Sequence, residues 1–308
     1  GMRASEMLEQ SRETIGALEM VLHEDESADS RRTFEAMLLA IQSGKRHFGT
    51  KTGLARFDQS IGGLMPGHFY IIGARPSSGK TAAVITMATE AAKSGALVQF
   101  FSTETTREVL GARLASYQGD LDAFDIKKGQ VVPGVFAADA ARVPPMELYD
   151  DDCSITAIRS RVMKLAKACP TQPRVCIIDY IEELQAPKAG NREQEISKLV
   201  QALRKLAKEA SCAMVVCSQL NRDAEGREPS KADLRMSGML EQAADVILLL
   251  WVLKGAESEP VNIGMKLDKN KVGGILYYQD GLLYKKHSKV LEDDGQHAAP
   301  WDRSDWNG

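Results

Sequence analysis

The sequence has little of what marks a secreted, membrane-spanning or metal-stapled chain. Its five cysteines form no CxxC pair and no metal-ligand spacing, and its five histidines are scattered, so neither a zinc cage nor a disulfide framework is the basis of the fold. Cys176 and Cys217 lie inside apolar runs that read as buried strands, where reduced core thiols are expected. No apolar run approaches the ~18 residues needed to span a bilayer. The first residues also lack the apolar core of a signal peptide, so the expectation is a cytoplasmic protein with no membrane partner. An excess of basic charge is missing too: the net charge is -3. Nothing therefore advertises nucleic acid globally, although basic groups can be confined to one channel. What remains is ordinary globular composition, 44% hydrophobic and 26% charged, enough for one large domain with appendages.

Three segments are expected. Residues 1–48 read as a helical extension in which Phe34, Met37, Leu38 and Ile41 recur at i, i+3, i+4, i+7 and form an apolar stripe that must be buried. Residues 49–290 alternate short apolar strands with helices, the pattern of an α/β fold with a mostly parallel central sheet covered on both faces. Residues 291–308 read as a polar tail. Within the main domain, strands are expected at 68–73, 98–102, 175–179, 213–218 and 245–251, then antiparallel ones at 262–268, 274–278 and 282–287. Gly119 to Pro145 gives no clear pattern.

The strongest chemical signal is Ala74-Arg75-Pro76-Ser77-Ser78-Gly79-Lys80-Thr81. A strand runs into a turn whose backbone N–H groups can surround phosphate oxygens, and a helix starts at once with its positive end pointing inward. Lys80 suits the β- and γ-phosphates of ATP, and the Thr81 hydroxyl suits Mg²⁺. Ala74 stands where the strict phosphate-loop pattern has its first glycine, with Gly73 one residue earlier. Asp179 ends the apolar run VCIID, a position on the ligand edge of such a sheet and suited to Mg²⁺. Glu104 closes FFSTE; it can orient and polarise an attacking water, or simply favour the start of the next helix. Gln219 follows AMVVCS and can report on a γ-phosphate, or merely end its strand.

The order ARPSSGKT, FFSTE, IIDY, SQLNR and DLRMSGMLEQAADVI resembles the RecA-like motor domain of the DnaB-type replicative helicases, from Thr52-Gly53 to about Tyr284. The resemblance implies a RecA-like P-loop NTPase that assembles as a hexamer or another ring or helical homo-oligomer. Such a ring binds ATP between subunits and moves on single-stranded DNA. It gives Lys80, Thr81, Glu104, Asp179 and Gln219 the roles above. It places Arg235, Met236 and Gly238 in the loop that holds DNA phosphates, where Arg235 can instead be an ordinary salt-bridge residue. It also places Lys269 and Lys271 where a lysine and an arginine reach the neighbouring subunit's ATP. At Lys271 the charge is kept and the planar fork is lost; two solvated hairpin lysines are the plainer reading. The family's N-terminal helical domain, which helps assemble the ring and meets primase, has no counterpart in residues 1–48, and the stripe at 34–41 takes the place of its linker helix. The two readings left open are a DNA helicase motor and a RecA-like ATP-binding assembly that unwinds nothing.

Overall fold

A computed structural model of the chain describes residues 49–119, 121–185, 192–224, 227–235, 237–253, 261–271, 278–285 and 290–293, with Leu38, Leu39 and Gln42. The chain divides into two units, Gly1–Arg46 and His47–Gly308. Of the apolar stripe in the first, only Leu38 is described, helical and exposed; Phe34, Met37 and Ile41 lie outside the described residues.

The second unit is built on a nine-stranded sheet in the order β3-β2-β4-β5-β1-β6-β7-β8-β9. Its strands are β1 (Phe69–Ala74), β2 (Leu97–Ser102), β3 (Glu147–Tyr149), β4 (Arg174–Asp179), β5 (Ala213–Gln219), β6 (Val246–Val252), β7 (Val261–Asn270), β8 (Tyr278–Lys285) and β9 (Val290–Asp293). The first six in that spatial order run parallel, and β7, β8 and β9 add antiparallel. Strands buried on both faces read as continuous apolar runs, as in FYIIGA, RVCIID and AMVVCSQ.

The period of two along each strand sends neighbours to opposite faces. Tyr70, Ile72, Phe100, Ile177 and Val215 pack with α2 (Lys80–Lys93) and α3 (Arg107–Gln118). Phe69, Ile71, Phe101, Ile178 and Val216 pack with α6 (Ile155–Ala168) and α7 (Arg192–Glu209). Helix α2 is buried almost all round; its alanines at 82, 83, 88 and 91 let it lie close on the sheet. The remaining described helices are α1 (Ala55–Ile61), α4 (Ala123–Lys128), α5 (Pro133–Ala140) and α8 (Ser237–Ala243).

Several elements differ from the sequence expectation. The stretch without a pattern holds α4, capped by the Asp122 side chain accepting from Phe124 N, and α5, which begins on Pro133. Both are too short to show a helical period. The short edge strand β3 comes after them. The strands expected at 274–278 and 282–287 correspond in the described part to one strand, β8. The last strand, β9, reaches Asp293, past the position where the tail was expected to begin.

Candidate functional site

Four neighbouring strands, in the order β2-β4-β5-β1, end on one edge of the sheet. The register sets Ser102 beside Asp179 and Ala74 beside Gln219. The phosphate loop, Asp179 and Gln219 therefore gather along one short line, with Glu104 two residues beyond Ser102.

The loop after β1 closes with Ser78 N donating to Arg75 O (3.2 Å), and α2 begins at Lys80. Ser77 (φ 64°) and Gly79 (φ 81°) are both in the left-handed region, which lets consecutive N–H groups turn toward one point. Ala74 is the last residue of β1, paired with Gln219 and Leu250 and without positive φ, so no glycine is needed there. Gly73 is the residue that packing requires: a Cβ there would lie 2.7 Å from Leu249 and 2.8 Å from Leu234. Arg75 Nη1 ties the loop back to Leu220 O at 3.0 Å.

Asp179 is 1% exposed. Its Oδ2 accepts from Thr81 Oγ1 at 2.9 Å, and its Oδ1 faces Lys80 Nζ at 3.5 Å with no hydrogen-bond donor. Lys80 Nζ also lies 4.3 Å from the centre of the Tyr180 ring. Burial, with Glu183 accepting its hydroxyl proton, pushes the Tyr180 phenol up to about 12, so the ring stays neutral beside the lysine. Among the described residues no three His, Cys, Asp or Glu side chains converge. A hydroxyl and one carboxylate with an unsatisfied oxygen fit Mg²⁺, which keeps most of its ligands as water and phosphate.

A cavity of about 240 Å³ opens over this floor, lined by the loop together with Thr81, Glu104, Thr105, Arg113 and Gln219. Glu104 is not the last residue of β2, as the sequence suggested. The strand ends at Ser102, whose hydroxyl accepts from Thr105 N (2.9 Å) and turns the chain so that Glu104 projects, exposed, over the cavity. Sequence reasoning missed Thr105 and Arg113. Arg113 sits on α3 between the buried Leu110 and Leu114 and makes no ion pair with a described residue. A lone cation beside an apolar face was its one sequence signal.

Glu182 was missed as well. Its Oε1 accepts from Ser218 Oγ (2.6 Å) and Gln219 N (2.9 Å), so it braces the end of β5. Burial pushes its carboxyl above the usual carboxylate range, against these two hydrogen bonds and the nearby Lys80, which lower it.

Gln219 O accepts from Arg235 N (3.1 Å), and Leu220 bridges Leu234. The segment bearing Arg235 is thus an antiparallel extension of the strand that ends at the cavity. The Arg235 side chain is exposed, and a Cβ at Gly238 would meet open space. Met236 lies outside the described residues. Lys269 and Lys271, at the end of β7, do not line this cavity. Lys269 Nζ donates to Glu241 O of the same chain; burial first, then Lys271, pulls its pKa down. Lys271 is exposed, with its N–H donating to Asp245 O at 2.8 Å.

This layout can be set beside known proteins. The family model of the DnaB-like helicase C terminal domain matches residues 49–279. The chain belongs to that family. The replicative DNA helicase DnaB of Leifsonia xyli subsp. xyli is 35% identical over 66% of this chain and 46% of its own length. That of Treponema pallidum is 33% identical over 66% and 48%. The chain thus spans just under half the length of these curated DnaB relatives. A solved ATPase domain superposes with a TM-score of 0.78 at 25% identity, covering 87% of this chain and 99% of that one. A structure of a DnaB-like replicative helicase and its interactions with primase superposes with a TM-score of 0.75 at 24% identity, covering 94% and 74%, a likeness of fold.

Proposed function

We propose that this DnaB-like domain binds ATP with Mg²⁺ in the cavity over β1 and hydrolyses it to move along single-stranded DNA and separate a duplex. The observation that carries the reading is the line of adjacent strand ends, which sets a phosphate loop, a buried carboxylate, a projecting carboxylate and an amide around one space. The N–H groups of Ser77, Gly79 and Lys80, together with Arg75, Pro76 and Ser78 in the loop, cradle the phosphates. Lys80 leaves Asp179 for the β- and γ-phosphates, and Arg113 adds a second positive charge from the same chain. Thr81 and Asp179 hold Mg²⁺, which neutralises charge on the phosphate oxygens. Glu104 orients the attacking water and takes its proton. Gln219 hydrogen-bonds the γ-phosphate; its carbonyl contact with Arg235 N gives that contact a direct path to the DNA loop. Arg235 and Gly238, with Met236 between them, contact phosphates without reading bases.

A cavity of about 240 Å³ is smaller than the ~300–1,000 Å³ of a closed small-molecule site. This supports a half-site completed by a second copy in a hexamer or another ring or helical assembly, with Lys269 and Lys271 supplied by that copy. One observation favours the alternative of an ATP-dependent assembly that does not unwind: Lys269 is held by its own chain at Glu241. The test is ATP turnover with and without single-stranded DNA, beside native mass and unwinding of a 5′-tailed fork. Turnover stimulated by DNA in an oligomer, and lost in Lys80→Ala, is expected. Equal turnover in Lys80→Ala would remove the reading, and assembly with turnover but no unwinding would select the alternative.

A further inference from the structure

We propose that Thr103 is a positioning residue that fixes Glu104 relative to Asp179. The inference rests on the proposed function, in which those two carboxylates serve one ATP. Beyond the paired residues Ser102 and Asp179, β2 and β4 leave the sheet, and side-chain contacts must hold the residues that come next. Thr103 N donates to Asp179 O at 2.9 Å. Its hydroxyl accepts from Tyr180 N at 3.1 Å and donates to the carbonyl of Asp179 (3.2 Å) or of Tyr180 (3.3 Å).

Thr103 thus satisfies both backbone groups of the Asp179–Tyr180 peptide, its N–H serving the carbonyl and its hydroxyl the N–H, immediately next to the two acidic residues. On the far flank, Thr105 N is held by the buried Ser102 hydroxyl. Glu104 itself projects over the cavity and makes no hydrogen bond with a described residue. Its carboxylate is therefore placed by its backbone alone, and that backbone is pinned by Thr103 on one side and Ser102 on the other.

Thr103→Val keeps the shape and the main-chain bond but presents a methyl group to Tyr180 N, so the turn must shift to give that donor a partner. A displacement of ~1 Å at a reacting group can cost on the order of 10²-fold in rate. Thr103→Val is expected to lower ATP turnover by roughly 10- to 100-fold, with affinity for a fluorescent ATP analogue and Mg²⁺ within about 3-fold of wild type. Thr103→Ser, which restores the hydroxyl, is expected to recover turnover to within about 3-fold. If the valine variant does not fold, Thr103→Ala, which also takes the hydroxyl away from Tyr180 N, carries the same comparison with serine.

Undiminished turnover in the valine or alanine variant overturns the assignment while leaving the ATPase reading intact. So does a loss of nucleotide affinity that matches the loss of turnover, or a serine variant as poor as valine. Absence of turnover in the wild type refutes the ATPase reading itself and takes this role with it.

Discussion

Replacing Glu182 with alanine is expected to loosen the end of β5 and lower the stability of the domain. The carboxylate accepts two hydrogen bonds through one oxygen, from Ser218 Oγ at 2.6 Å and Gln219 N at 2.9 Å, and Ser218 is wholly buried. Hydrogen bonds to a charged acceptor contribute ~1.5–3 kcal/mol each, and stranding a buried donor costs ~1–3 kcal/mol. Against that loss stands the cost of burying the charge, which is the leading cause of the raised Glu182 pKa. The balance is about 2 kcal/mol of destabilisation, or ~4–8 °C in Tm for a domain of this size. Glu182→Gln keeps an acceptor in the same place and sheds the charge, so it should stay within ~1 kcal/mol of wild type.

The two variants also differ in their dependence on pH. A carboxyl whose pKa is raised on folding leaves stability untouched while both states are protonated, below the ordinary ~4.3 of glutamate. It costs stability as pH rises, because the unfolded chain ionises first. Glu182→Gln removes that cost and should gain on wild type between acid and neutral pH. Thermal unfolding compared at acid and at neutral pH reads both effects. An alanine variant as stable as wild type, or a glutamine variant as weak as alanine, would refute the reasoning.

Arg235→Ala is expected to weaken single-stranded DNA binding evenly across sequences and to reduce the salt slope by about 1, the signature of one lost phosphate contact; affinity and slope unchanged in a salt titration would remove Arg235 from the DNA loop. Lys271→Arg should raise DNA-stimulated ATP turnover in the assembled protein, because the planar fork grips phosphate oxygens that a point charge cannot; arginine fingers elsewhere supply on the order of 10³-fold or more. No change in a steady-state assay, with Lys271→Ala equally silent, would return this lysine to the solvated surface.

How much of this was legible in the sequence depends on how local each feature is. The phosphate loop was legible because strand, turn and helix are contiguous, and one strand-to-helix unit suffices to aim Lys80 and Thr81. Asp179 and Gln219 were legible because a polar residue closing an apolar run marks a strand end. Glu104 was found by the same rule, but its strand stops two residues sooner, where the Ser102 hydroxyl accepts from Thr105 N and the Thr103 hydroxyl from Tyr180 N as the chain turns. Thr105 and Glu182 carry no local pattern, and Arg113 only that of a cation beside an apolar face; they reach the cavity or its wall through the turn after β2, the segment after β4 and the packing of α3.

The sequence by itself determined that this is an α/β chain of DnaB-like type and which polar and charged residues stand in its phosphate loop and beside its strand ends. Those properties arise from hydrophobic period and from groups adjacent along the backbone. Tertiary structure alone decided that β2, β4, β5 and β1 are neighbours in that order, since strand order depends on how separate runs pair across the sheet. That pairing sets Thr81 against Asp179, Glu182 against Gln219 and Thr103 against Tyr180, contacts whose partners lie 37 or more residues apart and which no periodicity encodes.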